Sequence, residues 1–330
     1  MPTSSSFEGI CDQVRDRCRW VTEHAGHVRI DHERLAAYAR EQPVEDLTDP
    51  ASGVGADPGR VPLADHESTA SFALSLDAIN FGSGWFPTLH KRPGMSGYHT
   101  IATSLREYVE ASGPLTAERL TAMDRASCCA IFDQPDDESP AAELMELYAS
   151  AFCDLGAFLI ERYDGSFLNL IADADRSAER MVGILAEMPF FHDVSEYHGV
   201  DVPFYKRAQI APMDLSIAFD NRGPGRFDDL DRLTMFADNL VPHVLRVDGV
   251  LRYDTDLLTR IEAEELIAPG TPEEIEIRAC ALHAVELMRR ELTGEGHAVT
   301  SARIDTYLWN LGDGPRYKAQ PRHRTRTVCY

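Results

Sequence analysis

Apolar residues recur every three or four positions along most of this 330-residue chain, and strict two-residue alternation is scarce. Such a chain buries its apolar stripes by packing helix on helix. Helices are expected at residues 7–42 (one or two, carrying Ile10, Val14, Cys18 and Val21), 69–79, 98–111, 116–124, 141–163, 177–188, 213–219, 230–237 and 272–292. The last opens on Thr271-Pro272-Glu273-Glu274, a cap followed by proline and first-turn acids. A short strand is expected at 200–204, so the fold class is all-α with at most a few short strands. Residues 48–62, rich in proline and glycine, read as a long surface loop. This divides the chain into an N-terminal helical extension with its loop, 1–66, and a main helical region, 67–330, with room for two packed subdomains.

The charge balance limits the partners. There are 54 acidic residues against 32 lysines and arginines, a formal charge of -22. Duplex nucleic acid is held largely through its phosphates, so no DNA or RNA polymer is expected on this surface. A ligand with a single phosphate needs only a local basic pocket; Lys206-Arg207, His90-Lys91-Arg92 and residues 316–326 are candidates. Seven cysteines without a Cys-x-x-Cys pair read as reduced thiols of a cytoplasmic protein. The sequence contains no His-Glu-x-x-His pair, phosphate-binding glycine loop, dinucleotide fingerprint or Gly-x-Ser-x-Gly elbow. The acidic run 133–138 lacks the glycine and terminal glutamate of an EF-hand, so neither a metal nor an organic cofactor is expected. The first ten residues have no signal-peptide core, and no window approaches the roughly 18 apolar residues of a membrane span.

Two charges sit where charge is expensive. Lys206 lies in Phe204-Tyr205-Lys206-Arg207-Ala208-Gln209-Ile210, and Asp238 in Leu233-Thr234-Met235-Phe236-Ala237-Asp238-Asn239-Leu240-Val241. A charge withdrawn from water is paired, shifted in pKa or used. Helical spacing aligns Leu233, Phe236, Ala237, Leu240, Val241 and Val244 and puts Asp238 at the edge of that face. Pro242 has no N–H for the Asp238 carbonyl, so a break is expected there, with Asp238 capping a following helix. A plain cap and a catalytic carboxylate both fit. Lys206 has four readings: partner of Asp238, phosphate ligand, amine nucleophile, or a stem lying on apolar surface with its head in water.

Further polar residues stand in apolar settings. The turn Asn80-Phe81-Gly82-Ser83-Gly84-Trp85 follows a helix and places aromatics where they can stack on a planar ring or simply pack. Asp305 and Trp309 are four apart and share a helix face, suited to a base edge and its ring or to docking the helix.

Taken in order, Ile79-Asn80-Phe81 with Trp85, Gly165-Ser166-Phe167-Leu168-Asn169, the two segments around Lys206 and Asp238, Glu276-Ile277-Arg278, Tyr307-Leu308-Trp309 and residues 324–330 resemble the queuosine salvage proteins, the queuosine 5'-phosphate N-glycosylase/hydrolases. The resemblance covers the chain from about residue 71 onward. It implies a helical fold related to the helix-hairpin-helix DNA glycosylases and a catalytic region at 67–330. It also implies hydrolysis of queuosine 5'-phosphate to queuine and ribose 5-phosphate for queuine salvage and tRNA modification. The family's catalytic lysine and aspartate fall on Lys206 and Asp238. Substrate contacts are expected from Asn80, Phe81, Trp85, Tyr205, Arg207, Asn239, Asp305 and Trp309. No Leu-Pro-Gly-x-Gly hairpin follows Lys206, which favours a free nucleotide over a polymer. A non-catalytic carrier of the modified base and a nucleic-acid glycosylase are the competing functions.

Overall fold

The computed structural model describes residues 9–48 and 62–330. The loop expected at 48–62 lies almost wholly outside the described residues, as do residues 1–8. Helices dominate, and most begin at a residue suited to start one. Asp31, Asp65, Ser96, Asp124, Ser139, Ser177 and Asp254 each accept a hydrogen bond from the backbone N–H three residues on, satisfying a donor that the helix itself leaves open. The helices expected at 98–111, 141–163 and 272–292 are found as Gly97–Ser112, Pro140–Tyr163 and Pro272–Gly294. The described part of the helical stretch expected at 7–42 forms Ile10–His24 and His32–Glu41, with the strand β1 (Val28–Ile30) between them.

Among the described residues, four short strands make two antiparallel pairs. The hairpin β2 (Val194–Tyr197) and β3 (Val200–Pro203) pairs Val194 with Pro203. Across the chain, β1 pairs with β4 (Leu251–Tyr253), Val28 facing Tyr253. The strand expected at 200–204 is thus one arm of a hairpin.

Two apolar cores carry the fold. One gathers Phe72, Leu105, Phe152 and Leu185, the other Leu245, Ile277, Leu282 and Leu308. The Ile10–His24 helix joins them, giving Ile10 and Cys11 to the first and Val14, Cys18 and Val21 to the second. Among the described residues, no helix is long and apolar enough to cross a membrane.

Two expectations change. The helix read at 213–219 begins earlier and runs Lys206–Ala218, with Pro212 inside it. The helix read at 230–237 is absent: a single 3-10 turn, Leu230–Arg232, gives way to irregular chain, and helix resumes at Leu240–Val247. The periodic apolar residues there are buried, but from a non-helical backbone whose polar groups are taken up by side chains. Thr234 N–H donates to Gln209 Oε1 (2.9 Å), Phe236 N–H to Asp305 Oδ1 (3.0 Å), and Arg278 Nε donates to the Ala237 carbonyl (3.0 Å).

Candidate active site

A cavity of about 790 Å³ opens where the two cores meet, walled by Phe81 and Phe236 from the first and by Tyr317 and Trp309 from the second. Both oddly placed charges line it.

Lys206 is the first residue of its helix and is buried, 5% exposed. Tyr205 before it holds a left-handed backbone, φ 50°, a cost of about 1–3 kcal/mol that surrounding structure must sustain. The Lys206 ammonium donates to both acceptors of Asn80, the carbonyl at 3.0 Å and Oδ1 at 3.2 Å. Burial pushes its pKa down to about 8, Asp238 opposes that fall, and the neighbouring Arg207 adds to it. Lys206 and Asp238 therefore interact through their fields, while the ammonium's direct partner is Asn80. The lysine head does not reach out to bulk water along an apolar surface; it is enclosed.

Asp238 precedes the Leu240–Val247 helix, and its Oδ1 accepts from Leu240 N–H (2.8 Å) and Val241 N–H (3.1 Å). The expected break and cap are both present, although the helix ends at Val247. Cap and chemistry do not compete here: among the described residues, Oδ2 takes no hydrogen bond, so one oxygen is braced and the other is left for a ligand.

The remaining expected contacts divide by placement. Asn80, Phe81, Asn239, Asp305 and Trp309 line the cavity. Asn239 Nδ2 donates to the His323 carbonyl (3.3 Å), and Trp309 meets Tyr98 edge-on at 5.9 Å. Trp85, Tyr205 and Arg207 lie off the cavity. Trp85 is 3% exposed, and its indole N–H is bound to Glu143 Oε2 (2.9 Å), so it packs rather than stacks on a ligand. Tyr205 faces the groove beside His192 on the far side of its helix. Arg207 is sandwiched between the Phe81 and Phe191 rings and donates to the carbonyls of Ala78 and Val328, which removes it from any phosphate.

Besides Lys206, the lysines and arginines that reach the cavity come from the other two clusters: Lys91, Lys318, Arg322 and Arg324. Lys318 pairs with Asp313 and Arg324 with Glu264. Lys91 and Arg322 have no ion-pair partner among the described residues. Burial and then the charges of Arg322 and Arg324 hold the Lys91 pKa low; burial lowers that of Arg322, against the pull of Asp238. Lys91 and Arg322 are thus the candidates for meeting an anionic group of a ligand. Tyr98, His99, Asp214 and Tyr330 also line the cavity, and none carried a local sequence signal. Among the described residues no cluster of His, Cys, Asp or Glu has the makings of a metal site.

Comparison with known proteins converges on one family. The family described as queuosine salvage protein matches residues 61–330. A relative from Sphaerobacter thermophilus named queuosine 5'-phosphate N-glycosylase/hydrolase is 39% identical over 319 residues, 94% of this chain and 96% of its own. Relatives of the same name from Mus musculus and Dictyostelium discoideum are 29% and 31% identical, each over 96% of this chain and 98% of their own.

Proposed function

Because the chain belongs to the queuosine salvage protein family, we propose that it hydrolyses the N-glycosidic bond of queuosine 5'-phosphate in the cytoplasm, releasing queuine and ribose 5-phosphate for queuine salvage and tRNA modification. The observation that carries this reading is the Asp238 carboxylate, braced at Oδ1 by two backbone N–H groups beside an enclosed Lys206 in an aromatic-walled cavity.

As the carbon–nitrogen bond breaks, its electron pair leaves with the base and the ribose takes on oxocarbenium character. Asp238 Oδ2 stabilises that positive charge and accepts a proton from the attacking water. In balance, the water's hydroxyl joins the ribose and a proton joins the base. Lys206, with two of its three N–H donors held by Asn80, keeps the third for the ribose or phosphate. Hydrolysis needs no imine. Lys91, Arg322 and Arg324 hold the phosphate, and Phe81 and Trp309 wall the base. The acidic surface favours a free nucleotide over a polymer.

Asp238→Asn tests the assignment: nucleotide binding persists while queuine release, followed by chromatography, falls by about a hundredfold or more. Turnover close to wild type would remove Asp238 from the chemistry. The same assay on the unaltered protein separates an enzyme from a carrier, which binds the nucleotide and releases nothing.

A further inference from the structure

Lys206 and Asp238 are 32 positions apart on different elements, and neither is set by regular structure on its N-terminal side. Tyr205 is left-handed, and residues 233–239 are non-helical. One buried ion pair spans the gap. Arg278, 1% exposed on the Pro272–Gly294 helix, grips Asp193 with both terminal nitrogens, NH1 to Oδ1 at 3.0 Å and NH2 to Oδ2 at 2.6 Å. Its third nitrogen, Nε, donates to the carbonyl of Ala237, the residue before Asp238. Asp193 Oδ2 in turn accepts from the backbone N–H of Lys206 (3.0 Å), and the Asp193 carbonyl accepts from the N–H groups of Phe204 (2.9 Å) and Tyr205 (3.2 Å). The Phe204 and Tyr330 rings lie 3.9 and 4.7 Å from the guanidinium centre and fix its orientation.

A well-packed apolar pair of the same volume commonly matches a buried ion pair in stability. It could not hold the Ala237 carbonyl and the Lys206 amide at once. We propose that the Asp193–Arg278 pair is the positioning unit of the site, a buried tie that sets the Lys206 backbone and the Asp238 segment at a fixed separation. The proposal rests on the reading that Lys206 and Asp238 carry the reaction. Neither Asp193 nor Arg278 touches substrate; both act through the residues they hold. A lysine at 278 keeps the charge but not the three-way fork.

The test compares Arg278→Lys and Asp193→Asn with Glu276→Gln, a matched control on the same helix. Glu276 is equally buried and holds Gly26, His27, Val28 and Tyr197, away from both reacting segments. Stability, queuine binding, and kcat and KM on queuosine 5'-phosphate are measured, with kcat taken per folded molecule. Arg278→Lys and Asp193→Asn should lower kcat roughly fiftyfold to a hundredfold, the scale of a misplacement near 1 Å, with KM within about threefold. Glu276→Gln should lose stability and keep kcat. Adding Asp238→Asn to Arg278→Lys should cost much less than it costs alone, because the carboxylate is already misplaced. Wild-type kcat in both variants, or a full Asp238→Asn penalty on top of Arg278→Lys, overturns the proposal. Asp193→Asn keeps an acceptor for the Lys206 N–H and by itself decides the matter if Arg278→Lys does not fold. If Asp238→Asn alone costs nothing, the catalytic reading has failed rather than the positioning tie.

Discussion

At the scale of single residues, Lys206 shows how burial converts an ordinary side chain into one with a measurable pH signature. Its pKa is moved from 10.5 to about 8, chiefly by desolvation of the ammonium. If the ammonium is the working form, bound to Asn80 and reaching the ligand, kcat/KM holds up to about pH 8 and falls above it as the proton leaves. An imine mechanism needs the free amine and gives the opposite slope. A pH–rate profile of queuine release should therefore decline on the alkaline side, and Lys206→Arg should move that limb to higher pH. Activity rising through pH 8, or a borohydride-trapped adduct at Lys206, would favour the nucleophile. Arg207, one residue on, is also cationic and buried, yet its guanidinium lies between the Phe81 and Phe191 rings and is bound to the Ala78 and Val328 carbonyls, off the cavity. Adjacent residues on a helix point about 100° apart, so the two lie on different faces.

At the scale of elements, the carboxyl-terminal segment is as much part of the site as the helices. It supplies Arg322 and Arg324 to the cavity and runs close to the turn after the His66–Ala78 helix. Gly84 in that turn is there because the segment leaves no room for a side chain: a Cβ would sit 2.3 Å from the Thr325 carbonyl oxygen. Gly84→Ala should destabilise the fold by about 1–3 kcal/mol, the usual cost of overpacking, and should also raise KM as Arg324 shifts. Thermal melts and steady-state kinetics on one preparation check both; an unchanged KM would mean that the segment moves without disturbing the arginines. The stretch 233–237 carries the opposite lesson. Its apolar spacing is helical, but the backbone is not, and Gln209, Asp305 and Arg278 supply hydrogen bonds a helix would have made internally.

At the scale of the whole molecule, charge is partitioned. The chain carries -22, yet Lys91, Arg322 and Arg324 are brought together at one cavity. On the proposed function, the long-range field is expected to discourage polyanions while the basic residues at the cavity take one phosphate. Full-length tRNA should therefore give no gel shift even at low salt. Arg322→Ala should raise KM for queuosine 5'-phosphate by about tenfold or more, the worth of a charge-assisted hydrogen bond, and change that for the unphosphorylated nucleoside far less. Tight tRNA binding, or equal losses on both substrates, would contradict this division. The helical class, most helix starts, the break before Pro242 and the Asp238 cap were legible in local sequence, since each depends on residues within a turn or two of one another. Ordered motifs also pointed to the family, which the comparisons show, and to Lys206 and Asp238 as the candidate reacting residues. Folding alone settled that Lys206 is held by Asn80, 126 positions away, that Trp85 and Arg207 are buried off the cavity, and that Arg278 and Asp193 link the segments carrying Lys206 and Asp238. Those outcomes depend on which distant groups each side chain meets once the cores close, and local spacing carries no record of that.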